Sequence, residues 1–151
     1  MRSLRVAGAR TVHFKHERDS IKKDIAAALV SARMRARIYL GCGDPETIRE
    51  HALRVLVTDL AAVGMRRVIL DSRGPDRDHL DKQVIRTALA ASEVDTVAYE
   101  HLRSHQEPVL WAADAIAWCY GAGGDWRRRV QPVVEAVTDV GPIGRRRPNR
   151  R

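Results

Sequence analysis

Cysteine is almost missing from this chain: Cys42 sits beside glycines and Cys119 in an apolar stretch, so the sequence offers no disulfide framework. That scarcity suits a reducing, cytoplasmic setting. Long hydrophobic runs are missing as well. The most apolar segment, Pro108 to Gly124, is seventeen residues long and carries Asp114 in its middle, and no apolar segment follows Met1. Neither a membrane span nor a secretion signal is expected. Acid is in deficit, with 19 Asp and Glu against 27 Lys and Arg, so the net charge of +8 favours polyanionic partners. Five of those arginines, Arg145, Arg146, Arg147, Arg150 and Arg151, fall in the last seven residues. Taking them from +8 leaves +3 for the rest, so the body is weakly basic and the tail strongly so. Internal repeats and linkers are absent too, and 151 residues suit one domain with a real core.

What is present alternates. Thr11 to Phe14 is a short run before a polar cluster containing His13, His16, Glu17 and Asp19. Ile21, Ile25 and Leu29 recur every four residues among alanines, which predicts an amphipathic helix. Arg35 to Leu40 alternates as a strand does, and Gly41-Cys42-Gly43-Asp44-Pro45 is expected to stop it. Asp44 as N-cap and Pro45 at the first helical position open a helix that Gly64 ends. Arg67 to Leu70 reads as a buried strand, and Asp78 to Ala91 as a helix with Leu80, Val84, Ala88 and Ala91 on its apolar face. Val94 to Tyr99 reads as a strand, followed by the Pro108 helix and a last helix over Asp125 to Val137, which Pro132 should kink or divide. Strands alternating with helices predict an α/β sheet with parallel pairs.

Asp114 is the isolated carboxylate of an apolar helix. At 3.6 residues per turn it shares a stripe with Trp111 and Trp118, so it is expected to be paired with an arginine or an indole N–H, or else to serve as a ligand or catalytic group. Asp71 is the first residue after a buried strand, where α/β sheets collect ligands, and it reads equally as a turn carboxylate capping local N–H groups. Asp76 and Asp78 read as loop and helix-start residues. Gly41-Cys42-Gly43 stands where a phosphate-binding turn would, but Glu46 replaces the third glycine and would repel a pyrophosphate, so a plain strand-to-helix turn is expected. His101 and His105 lie four apart in a loop rather than on a helix, which argues against zinc.

The runs Val68-Ile69-Leu70-Asp71-Ser72-Arg73, Tyr99-Glu100-His101 and Glu107-Pro108 through Asp114 to Trp118 resemble the actinobacterial branch of the DUF3800 family. Val12-His13-Phe14-Lys15 and Gly121 to Trp126 are similar too, so the resemblance covers most of Thr11 to Val137. It implies an RNase H-like mixed sheet flanked by helices, over a single α/β domain at 11–140. Residues 1–10 then form a basic arm or partial strand, and 141–151 a disordered basic tail.

The resemblance also implies a metal-dependent nuclease-like core. Asp71 matches the acidic strand end, Asp114 the acidic helix position, and Glu17 the acidic residue of the first helix. Mg²⁺ or Mn²⁺ would be held by Asp71 and Asp114. The family's leading strand, with its Asp-Glu-Ser motif, has no counterpart here, so the fold is expected to be N-terminally truncated, with an exposed sheet edge inviting self-association. The expected function is a metal-dependent nucleic-acid hydrolase or its inactive relative. The alternative is a non-catalytic nucleic-acid-binding or assembly module whose phosphate contacts come from Arg145, Arg146, Arg147, Arg150 and Arg151.

Overall fold

The computed structural model describes residues 14–92, 97–104 and 106–143. It is a mixed α/β protein dominated by helix, with parallel strands in two small sheets. After a 3₁₀ turn at Phe14–His16 the order is α1 (Asp19–Ser31), β1 (Ala36–Gly43), α2 (Pro45–Ala62), β2 (Arg67–Asp71), α3 (Pro75–Ala91) and β3 (Ala98–Leu102). Then come α4 (Pro108–Ala122), α5 (Gly124–Val130), a 3₁₀ turn at Gln131–Val133 and β4 (Val134–Ile143). The expected arm at 1–10, the residues Thr11 to His13, the start of the Val94 strand, His105 and the five tail arginines lie outside the described residues.

The strands pair as β1 with β4 and β2 with β3. The β2–β3 pair is parallel, because Ala98 N–H donates to Arg66 O and Ser72 N–H to Leu102 O, each at 2.9 Å. With α3 as the crossover, it forms a β-α-β unit. In the other pair Arg35 meets Glu135 and Gly41 faces Val140, an order that only a parallel arrangement gives.

Two compact units are interleaved along the chain. Among the described residues, the first contains 14–38, Ile69–Ser72, 100–104 and 106–136. Its core is Phe14, Ala26 and Leu29 with Ala112, Ala115, Ile116, Cys119, Val130 and Val133. Trp118 stands edge-on to Phe14 at 5.4 Å and to Trp126 at 5.5 Å, both in the favoured T-shaped geometry. The α1 helix buries Lys22, Ala26 and Leu29, one stripe at helical spacing, and it closes with Arg33 at φ 52°, a left-handed position that glycine usually fills. Among the described residues, the second unit contains Tyr39–Val68, 73–92, 97–99 and 137–143. There α2 packs on α3, and Leu53, Val57, Ile85, Ala88 and Leu89 are buried.

Local chemistry explains most boundaries. Asp44 Oδ2 accepts from Thr47 N–H at 2.9 Å and Thr47 Oγ1 at 2.7 Å, so Asp44 caps α2 as its sequence position predicts. Gly41, by contrast, is part of β1 and not of a turn. A Cβ there would lie 2.8 Å from Ile48 Cγ2 and 3.0 Å from Val140 Cγ2, so glycine lets α2 and β4 crowd the strand. α3 begins at Pro75, three residues before the expected start, and Asp78 instead accepts from Arg73 N–H at 2.9 Å.

The last expected helix is corrected. Pro132 ends α5 rather than kinking it, and Val134 to Val137 belong to β4, which continues to Ile143. Proline removes a helical N–H, and the valine and threonine run beyond it favours extended backbone.

Candidate functional site

Asp71, Asp114 and Glu17 all belong to the first unit. Asp71 is the last residue of β2 and is exposed, so a carboxylate does stand at the carboxyl end of a parallel strand. Glu17 is half-buried just after the first 3₁₀ turn, where its N–H donates to Phe14 O at 3.2 Å. Asp114 is exposed. The buried stripe of α4 is Ala112, Ala115, Ile116 and Cys119, which leaves Trp111 and Trp118 half-buried on its flank and Asp114 in solvent. The desolvation that required a partner for this carboxylate does not arise. The indole of Trp111 is answered elsewhere, donating from Nε1 to Ser104 O at 3.1 Å.

A divalent magnesium or manganese ion needs several converging oxygen ligands. Asp71 and Asp114 have the right hardness. Among the described residues, however, no group of three or more potential ligands within 4.8 Å of one another includes Asp71, Asp114 or Glu17. These residues therefore do not by themselves fit a two-ion clamp. Thiol chemistry has no foothold in the core either. Burial pushes the Cys119 thiol up to about 11, against the smaller opposing pull of Lys22 and Arg129.

Among the described residues, the buried carboxylate is Asp81, on α3 in the second unit, at 4% exposure. Arg49 grips it from α2, with Nε at 3.0 Å from Oδ1 and a terminal nitrogen at 2.7 Å from Oδ2. Arg73 adds a contact at 3.4 Å to Oδ1 and reaches Glu46 Oε1 at 2.7 Å, which Arg77 also approaches at 3.2 Å. Burial opposes the charge on Arg73, but Glu46 and Asp81 together outweigh it and hold its pKa above the ordinary value. The hydrogen bond from Arg73 likewise holds the Glu46 carboxyl below its usual range.

Sequence reasoning misses this network because it places Leu80 and Val84 on the buried face of α3. The buried face is Asp81, Ile85, Ala88 and Leu89, and Leu80 is 55% exposed. The available signal is that Asp81 lies four residues before Ile85 and seven before Ala88. A cleft of about 330 Å³ opens beside the network, lined in part by Thr47, Arg49, Arg54, Gln83 and Thr87. Its arginines are already engaged, Arg49 with Asp81 and Arg54 with Glu50 at 2.6 Å, so the arrangement reads as a structural clamp between two helices.

No family model, no curated protein and no solved structure matches the chain. Among the described residues, no helix is long and apolar enough to cross a membrane.

Proposed function

We propose that this chain is a nucleic-acid-binding protein built on an RNase H-like, DUF3800-like α/β core. The observation that carries this reading is the net charge of +8, which suits a polyanion, while Asp71, Asp114 and Glu17 fall short of a described three-ligand cluster. Arg145, Arg146, Arg147, Arg150 and Arg151 supply phosphate contacts that carry no sequence information. The test is oligonucleotide binding by fluorescence anisotropy over a salt series. The logarithm of affinity should fall linearly with the logarithm of salt, and truncation at Gly144 should flatten the slope by several units. A parent protein that binds no oligonucleotide would sink the reading.

A second reading is metal-dependent phosphodiester hydrolysis, favoured by Asp71 standing exposed at the carboxyl end of β2. Asp71 and Asp114 would hold Mg²⁺ or Mn²⁺, with Glu17 assisting, and such an ion would supply charge neutralisation at the phosphate. Completion of the site by a strand from a second copy, through an exposed sheet edge, belongs to this reading. Millimolar Mn²⁺ should then raise the unfolding temperature, and Asp114→Asn should abolish the rise. An unchanged melting curve in the parent would remove the metal site.

A further inference from the structure

We infer that the corner where α4 turns into α5 is the docking surface for a single-stranded polynucleotide, an inference that rests on the nucleic-acid-binding reading and gives it a place. Gly123 and Gly124, both at positive φ, turn the chain there, and Asp125-Trp126-Arg127-Arg128-Arg129 follows. Three guanidiniums against one carboxylate leave this segment at +2.

Two of the three charges are ordered in advance. The Arg127 guanidinium lies 4.4 Å from the Tyr120 ring centroid, and its Nε donates to Tyr120 O at 2.9 Å. Arg129 donates from Nε to Asp125 Oδ2 at 2.7 Å and stands 6.0 Å from the Trp126 ring. Arg128 meets Asp125 at 3.5 Å and keeps 75% of its side chain in solvent. Arg127 and Arg129, fixed in this way, have already lost much of the side-chain entropy that binding would otherwise cost, while Arg128 adds charge from solvent.

Arg127 also caps one carbonyl near the end of α4, that of Tyr120, and that role alone would account for its position. It does not account for Arg128 and Arg129, which satisfy no carbonyl of that helix. A guanidinium held against an aromatic ring offers its outer face to a nucleobase and its edge N–H groups to phosphate. An unstacked base has a free face to offer and a duplex base does not, so a single strand is the better match. An acidic peptide would answer the charge but leave the planar faces unused.

The test uses the whole chain and a labelled oligothymidylate, with anisotropy read across a salt series and tryptophan fluorescence read in parallel. Arg127→Gln/Arg128→Gln should weaken binding about tenfold at low salt and reduce the salt slope by about 1.4, roughly 0.7 for each single-strand phosphate no longer neutralised. Arg128→Gln alone changes a side chain largely in solvent and should lower the slope by about 0.7 with no change in melting temperature. Arg54→Gln, an exposed arginine of α2, should bind as the parent does.

Parent affinity and slope in both Arg128 variants would overturn the docking surface and leave the nucleic-acid reading standing. A parent that binds no oligonucleotide would overturn both. Equal binding of duplex would overturn the single-strand assignment, and displacement by polyglutamate at equal charge concentration would overturn the choice of a polynucleotide.

Discussion

Among the described residues, each unit of this protein buries one charge, and the two are stabilised by different means. In the first, the Lys22 side chain is 8% exposed, with its ammonium 4.4 Å from the Trp118 ring and 3.8 Å from the carboxylate of Asp19, which is largely in solvent. In the second, Asp81 is held by two guanidiniums that are themselves partly buried. A cation can rest against the negative face of an indole, which loses little when the cation is removed. A buried anion needs N–H donors, and those donors become a liability once the anion is gone. The aromatic unit should therefore tolerate loss of its charge, and the ionic unit should not.

The largest expected effect is that of Asp81→Ala, which leaves Arg49 and Arg73 facing an empty carboxylate position. Urea unfolding followed by circular dichroism should show a loss of about 3–5 kcal/mol. A loss under ~1 kcal/mol would place this network among ordinary surface pairs and erase the contrast. Gly41→Ala asks whether the second unit is equally strict where no charge is involved. The added methyl meets Ile48 and Val140 inside ordinary contact distance, and a cost of about 1–3 kcal/mol is expected. Parent-like stability would mean that α2 shifts freely.

Lys22→Met keeps the length of the buried stem and removes the ammonium, and stability should change by less than ~1 kcal/mol in either direction. A cost comparable with that of Asp81→Ala would show that the indole face is as demanding as a guanidinium clamp. The smallest effect concerns acid. Glu46 has a folded pKa below its unfolded one, so its contribution is fully present above the unfolded value of about 4.3 and is lost as pH falls through the folded value. Glu46→Gln should make the melting temperature less sensitive to pH in that acid range. Superimposable pH profiles for parent and variant would mean that the contact with Arg73 does not persist in solution.

Short-range chemistry is readable from the sequence and long-range compensation is not. The Asp44-Pro45 cap, the stop of α2 just before Gly64 at φ 72° and the end of β2 at Asp71, one residue beyond the expected Leu70, depend on residues within one turn, and the sequence places them to within a residue or two. The buried face of α3 depends on Arg49, 32 residues before Asp81, and on Arg73, so hydrophobic periodicity alone selects the wrong stripe. Asp114 is misread for the complementary reason. A helix with many small residues can bury Ala112 and Ala115 in place of its tryptophans, and periodicity does not say which. Continuity with α5 suggests helix for the residues after Pro132, whereas the β-branched run there obeys the strand preference.

The two cysteines give this protein a built-in clock. Cys42 is exposed on β1, while Cys119 is fully buried between α4 and its neighbours with its thiol pushed up to about 11. A thiol reagent should modify Cys42 at once and reach Cys119 only when the aromatic core parts. The slow phase then times spontaneous opening of the first unit under native conditions, with no label introduced by mutation.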